Sequence, residues 1–480
     1  MPDPKSIWGE TWIPQAGPQT RFVEATAFEV VYGGARGGGK TDAALGDFAR
    51  HASQWGSAAQ GLLVRRTRTA LEPTIVRARQ IFGPDGGVWL SGRSCFEWAT
   101  GARLYFRHLD NDADADLYQG HAYSRVYVEE LTQFPTPTAV NKLKATLRSA
   151  AGAPCGFRAT CNPGGAGHAW VKARYIDPGP YTTVVEIFKS PFDGAETRID
   201  RVFIPARLPD NPALLASDPS YVARLAQSGS ETLVRAWLEG DWNVVEGAFF
   251  DRWSVRNIVR PFPIPHHWSR ICSFDWGYAA PFSVGWWALA SESFRTGNGA
   301  VIGRGALVRY REWYGVDPKT GKGLRLTAEE VAAGIVSRQV GDPLPRGVAD
   351  PSIFARNGGP SIAERMRKAE VVFQPGDNTR VGKLGALSGW DQMRARIAGD
   401  DDGPSLFVFD TCHDFIRTVP CLQHDPERLE DLDTSAEDHI ADETRYACLS
   451  RPIRGQAPAP VDVADGYGWR YAPPESWRTL

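Results

Sequence analysis

Residues 34–41 read Gly-Ala-Arg-Gly-Gly-Gly-Lys-Thr and fit the spacing GxxxxGK(S/T) without a mismatch. Clustered glycines let successive backbone N–H groups turn inward around phosphate oxygens, so Gly34, Arg36, Gly37, Gly38 and Gly39 would cradle a triphosphate. Lys40 would then reach the β- and γ-phosphates of ATP, and the Thr41 hydroxyl would hold Mg²⁺. Such a loop needs an acidic strand end across from it. SRVYVEELTQF (124–134) supplies Glu129, expected to orient the water shell of the magnesium, and Glu130, expected to polarise the attacking water. Asp is usual at the first of these positions, so Glu129 adds a methylene and alters the reach. GFRATCNPGG (156–165) then places Asn162 at a strand end, where a polar side chain can sense the γ-phosphate, although Asn-Pro and Gly-Gly are also turn formers. Gln15 and Gln19 precede the first strand and could read an adenine edge. Arg148, closing AVNKLKATLRS, could serve as an arginine finger to the γ-phosphate of a neighbouring copy. A surface role is the commoner one for a Gln or a helix-end Arg.

A second set of residues is carboxylic. Asp275 lies in SRICSFDWGY, Asp350 in RGVADPS, and Asp438 and Asp442 one turn apart in AEDHIADETRYACLS. Carboxylates converging from separate elements suit two divalent cations ~3.5–4 Å apart, which activate water at a phosphodiester. Hard oxygen ligands favour Mg²⁺ or Mn²⁺ over zinc. An Asp at a strand end is more often a turn or helix cap, and Asp410, ending SLFVFD, is expected to cap the next helix. The ordered placement of Asp275 and Asp350 sets them apart. For the third ligand Asp438 is favoured, with Asp442 next.

The elements that must carry these residues fall into two textures. Apolar strands at 28–33, 61–66, 126–130 and 156–161 alternate with helical runs, which predicts a parallel α/β sheet with its site at the strand ends. The span 1–177 is expected to be this P-loop ATPase core, of the kind with additional strands (ASCE). A small helical subdomain is expected over 178–245, and a linker with alternating Pro261, Pro263 and Pro265 over 246–268. Over 269–452, three antiparallel strands precede alternating helices and strands, the order of a ribonuclease H-like α/β nuclease domain. Residues 453–480, rich in Pro, Ala and aromatics, are expected to be a flexible tail.

Composition bounds the rest. The 480 residues carry 54 Lys and Arg against 56 Asp and Glu, a formal charge of −2, so bulk charge does not advertise a nucleic-acid binder. Phosphate grip would come from local patches: Arg65, Arg66, Arg68, Arg77 and Arg79, or the basic residues between Arg304 and Arg325. Seven cysteines without a CxxC pair argue for reduced thiols and against a zinc site. No apolar run approaches bilayer length and the N-terminus shows no signal-peptide core, so a cytoplasmic protein is expected.

Taken in order, GGARGGGKT, VYVEEL, ATCNP, RLPDNPAL…LEGDW, FDWGYAAPF, ADPS and DHIADETRYA resemble the large terminase subunit of tailed bacteriophages, over nearly the whole chain up to about residue 452. The resemblance implies an ATPase that pulls double-stranded DNA into a procapsid and a metal-dependent nuclease that cuts the concatemer. It matches Lys40 and Thr41 to the phosphate lysine and magnesium hydroxyl, Glu130 to the catalytic glutamate, and Asn162 to the coupling motif. It matches Asp275, Asp350 and either Asp438 or Asp442 to the nuclease acids; many relatives carry an acidic pair where this chain has Asp438-His439. The implied partners are the portal protein, a small terminase subunit and sister copies forming a ring on the procapsid, in the host cytoplasm. Two other readings are a helicase or repair ATPase fused to a nuclease, and a docking component with decayed sites. No second motor domain supports the first, and Lys40, Glu130 and Asp275 are all retained against the second.

Overall fold

A computed structural model describes residues 12–452 apart from 228–233, 235–237, 243–246, 298, 340, 343–345, 357, 383–387 and 401–404. The first sheet has nine strands: β1 (Glu29–Gly34), β2 (Gln60–Arg65), β3 (Val88–Leu90), β4 (Cys95–Glu97), β5 (Arg103–His108), β6 (Arg125–Val128), β7 (Gly156–Cys161), β8 (Thr183–Lys189) and β9 (Glu196–Ala206). Their spatial order is β3-β4-β5-β2-β6-β7-β1-β9-β8. In that order the six strands from β5 to β9 run parallel, with antiparallel strands closing both edges. Successive side chains on a strand point to opposite faces. Accordingly Val30 and Tyr32 enter one core with the helix Lys40–Trp55, and Val31 enters the other with the helix Thr138–Lys144. Cover on both faces explains why these strands read as unbroken apolar runs.

The second sheet contains β10 (Ile258–Val259), β11 (Ser269–Asp275), β12 (Ser283–Leu289), β15 (Leu307–Tyr314), β16 (Arg346–Ala349), β17 (Val372–Pro375) and β18 (Leu406–Phe409), while β13 (Phe294–Arg295) and β14 (Val301–Ile302) form a separate hairpin. The order is β10-β18-β15-β12-β11-β16-β17. β15, β12 and β11 are antiparallel neighbours, and β16 and β17 continue parallel to β11. This is the arrangement expected of a ribonuclease H-like sheet. The chain is therefore α/β throughout, a P-loop sheet followed by this second one.

Three expectations change. The span 178–245 is not wholly helical, because β8 and β9 extend the first sheet, with β9 pairing β1 from Glu29↔Arg201 to Gly34↔Ala206. Turn-rich flanks (IDPGP and PFDGAE) disguised the alternating β-branched residues of TVVEIF and RVFIP; the helices in this span include Pro212–Ser217 and Tyr221–Ala226. The expected linker is partly built in: Phe249 and Phe250 are buried in the second core, and β10 pairs with β18. Asp410 does not cap the next helix; Cys412 takes that place, and the Asp410 amide donates to the Val259 carbonyl. The expected tail, 453–480, lies outside the described residues.

Candidate functional site

The ends of β1, β2, β6 and β7 open on a cavity of about 640 Å³ lined by Arg36–Asp42, Arg65, Glu130, Thr160–Gly165 and Gln423, among others. The glycine loop bends through positive φ at Gly34 (133°), Gly37 (73°) and Gly39 (73°), a region costly for residues with a Cβ. At Gly34 a Cβ would also stand 2.4 Å from the Ala206 carbonyl oxygen. Three side chains hold the loop by its carbonyls. Asn211 Nδ2 donates to the Gly37 carbonyl (2.6 Å), Tyr32 OH to that of Gly38 (2.8 Å) and Gln19 Nε2 to that of Gly39 (2.8 Å). A peptide N–H points opposite to the carbonyl of the same unit. Fixing these carbonyls outward therefore aims the amides of Gly38, Gly39 and Lys40 the other way, as a phosphate cradle requires.

Gln19 is thus placed differently from the adenine-reading role. It is buried, and besides Gly39 it accepts from the Gln15 amide at 2.7 Å. Gln15 in turn donates to Asn211 Oδ1 at 2.6 Å. Asn211 is a cavity residue that motif reading missed. Its signal lay in DNPAL, an Asn before Pro at a helix start, where the side chain accepts from the Leu214 amide.

Lys40 Nζ donates to Asn162 Oδ1 at 2.7 Å and to the Ala35 carbonyl, joining the two motifs across the cavity. Burial pulls its ammonium down to about 8, a cost that a triphosphate would relieve. Thr41 lines the same wall. The two glutamates part company. Glu129 is buried and accepts from Thr74 Oγ1 at 2.7 Å, whereas Glu130, left-handed at φ 53°, is 41 % exposed and faces the cavity. Arg65 ties both acids, Nη2 to Glu130 and Nε to Glu129 at 3.5 Å. The proposed basic patch is largely spoken for: Arg77 pairs with Asp42, Arg66 lies over Phe134 and Arg79 over Trp89. Between Arg304 and Arg325, Arg309 is buried and Arg311 pairs with Asp342, so this stretch is no continuous stripe either. Arg148 is exposed, donates to the Gly120 carbonyl at 2.7 Å, and does not line the cavity.

In the second sheet, Phe274 and Ala349 are register partners on parallel β11 and β16, so Asp275 and Asp350 step off adjacent strand ends. The Asp350 amide donates to the Phe274 carbonyl (2.9 Å), and its carboxylate accepts from the Ser352 amide and hydroxyl. The final helix, His439–Ser450, begins over this point. His439 Nδ1 lies 3.2 Å from Asp275 Oδ2, Asp438 sits at the helix start, and Asp442, one turn on, is held by Arg380 (3.3 Å) and Arg445 (2.8 Å). Burial pushes the Asp275 carboxyl up to about 6, with His439 working against it; burial and the Asp442 charge push Asp438 to about 7. Burial opposes the His439 cation, but the bond to Asp275 and the surrounding acids overcome it and lift it to about 9. Among the described residues no three His, Cys, Asp or Glu side chains stand close enough to form a ready metal cage. The donor set nevertheless fits a hard divalent cation: the buried Asp275 and Asp438 carboxyls resist ionisation until a cation neutralises them, and Asp350 and Asp442 add further oxygens close by.

Glu443, beside Asp442 in sequence, has another task. It is fully buried, paired with equally buried Arg309, and bonded to Ser273 and Trp287. Removing one partner of such a pair strands the other charge, so Glu443→Ala is expected to cost about 3–5 kcal/mol of stability in urea titration. A loss below about 1 kcal/mol would show the pair to be water-accessible.

A family model described as the terminase large subunit, T4likevirus-type, N-terminal, matches residues 31–255, a little under half of the chain. No curated relative matches. Among solved structures, the large terminase of a thermophilic bacteriophage, in complex with ADP, is similar at 16 % identity, covering 90 % of this chain and 98 % of that one, with a TM-score of 0.38. The HK97 bacteriophage large terminase is similar at 10 % identity, covering 93 % and 98 %, with a TM-score of 0.42. The P22 large terminase nuclease domain is similar at 17 % identity, covering 43 % and 92 %, with a TM-score of 0.30. Among the described residues no helix is long and apolar enough to cross a membrane. Residues 31–255, which match the N-terminal model of the large terminase subunit, hold the glycine loop, Glu130 and Asn162.

Proposed function

We propose that the chain is a genome-packaging motor subunit in which ATP hydrolysis drives double-stranded DNA into a procapsid and a two-metal endonuclease in the second half cuts the concatemer. The observation that carries it is the meeting of Lys40, Glu130 and Asn162, from three separate strand ends, in one cavity whose sequence span matches the terminase family. Arriving γ-phosphate competes with Asn162 for Lys40, which frees the Asn162 amide to follow the phosphate. Glu130 must likewise leave Arg65 to orient the attacking water, while Arg65 becomes available to phosphate oxygens. Mg²⁺, held through Thr41, would supply charge neutralisation at the β- and γ-phosphates. Movement of Asn162 passes to its loop, because the Asn162 carbonyl accepts from Thr132 Oγ1 and the Gly164 amide donates to His168 Nδ1.

In the second half, Asp275, Asp350 and Asp438, with Asp442 as the alternative third acid, would hold Mg²⁺ or Mn²⁺, whose chemistry is water activation and leaving-oxygen stabilisation. The partners in this reading are the DNA, the portal protein, a small terminase subunit and sister copies in a ring. The exposed position of Arg148 suits donation to a neighbour.

The test is DNA-stimulated ATP turnover run beside plasmid digestion with Mg²⁺ or Mn²⁺. Glu130→Gln keeps the shape but removes the base, so hydrolysis should fall on the order of 10²–10³-fold with ATP binding retained. Undiminished hydrolysis would take the water-orienting role away from Glu130.

A further inference from the structure

One wall of the cavity does not belong to the first sheet. Gln423 lines it, yet Gln423 lies between the helix His413–Thr418 and the final helix of the second half. Its segment is tied to the stretch where the chain enters that half. Gln423 forms an antiparallel bridge with Ala248, the Phe249 amide donates to the Leu422 carbonyl at 2.7 Å, and the His424 ring stands 4.8 Å from that of Phe249. The first half leaves its own core at Trp242, packed on His168 and Phe203. Nearby, the charges of Lys172 and Asp177 reach the Cys421 thiol. The 421–424 segment thus runs beside the helical stretch Lys172–Ile176 that follows the Asn162–Gly165 loop, and Gln423 lines the same cavity as Glu130 and Asn162.

Resting on the ATP reading of this cavity, we infer that Gln423 is a nucleotide-sensing residue: its side-chain amide donates to the terminal phosphate of ATP and so draws the second half onto the first. An amide is suited to this role because it donates to a phosphate oxygen without adding fixed charge that would hold ADP as well. The contact exists only while a γ-phosphate is present, and it acts on a segment that the Ala248–Gln423 bridge ties to the entry of the second half. Gln423 is therefore a positioning residue for motion between the halves and takes no part in the chemical step.

The test uses the full chain. Affinities for ATPγS and ADP are measured for wild type and Gln423→Ala, with hydrogen exchange followed over 247–250 and 420–424. A charge-assisted bond is lost in one ligand only, so ATPγS affinity should fall about tenfold and ADP affinity should stay within about twofold. Protection of both segments by ATPγS should disappear in the variant, and Gln423→Asn, whose amide is set back by a methylene, should fall between. Equal ATPγS affinity and protection in wild type and Gln423→Ala would overturn the assignment, as would parallel weakening of both nucleotides, which marks a role in structure alone. If wild type binds neither nucleotide, the ATP reading itself fails and takes this inference with it.

Discussion

Lys40→Ala in the full chain is expected to cut ATP turnover on the order of 10³-fold and abolish packaging, while metal-dependent plasmid cleavage persists. Lys40 is the cradle motif's cation buried against the cavity, and burial already holds its ammonium down to about 8. That penalty is worth bearing only if a polyanion completes the site. Removing the amine also strands the Asn162 side-chain carbonyl oxygen, its partner at 2.7 Å, so the sensor loses its reference point along with the ligand. ATP hydrolysis and plasmid digestion measured on one preparation separate the two halves. Packaging retained by the variant would sink the motor assignment.

The second large effect concerns Asp275→Asn, which should abolish plasmid cleavage and leave DNA-stimulated ATP turnover within about twofold, since its carboxylate is a proposed ligand to the cutting metals only. Unchanged cleavage would remove Asp275 from the site. A pH signature accompanies it. Asp275 and Asp438 in the fold bind protons more tightly than the unfolded chain does, between an ordinary value of 3.8 and about 6 and 7. In that window the folded state holds more protons, so stability without metal falls as pH rises through it. His439, lifted from 6.5 to about 9, has the same sign: its contribution is full below 6.5 and is lost as pH climbs through 9. Thermal midpoints of the metal-free protein should therefore decline from about pH 5 to 9. Asp275→Asn should flatten the lower part of the decline, and saturating Mg²⁺ should oppose it by binding the ionised carboxylates. A midpoint that rises with pH would contradict the burial of these acids.

Much of this arrangement was legible in the chain because backbone requirements leave marks. The strands ending at Gly34, Val128 and Cys161 were readable from apolar runs that stop at glycine or acid, and the adjacency of Asp275 and Asp350 followed from the order of strands around them. What escaped was the work of polar side chains across long sequence separations. Nothing local distinguishes Gln19, which clasps the cradle, from a glutamine that reads a base. Glu129 and Glu130 differ only in which side of the strand end each occupies, and the left-handed turn at Glu130 decides that. β8 and β9 were hidden because the edge strand β8 and the first part of β9 leave most residues exposed or half-exposed between turn-rich flanks.

Asn211, Tyr32 and Gln19 grip three consecutive carbonyls of the glycine loop, and a rim braced on three sides has little slack to give up when its occupant shortens by one phosphate. Departure of the product must then be accommodated by the facing bank, the Asn162–Gly165 turn. In the proposed motor the stroke would be set by how far that turn can swing, with the rim acting as its anvil.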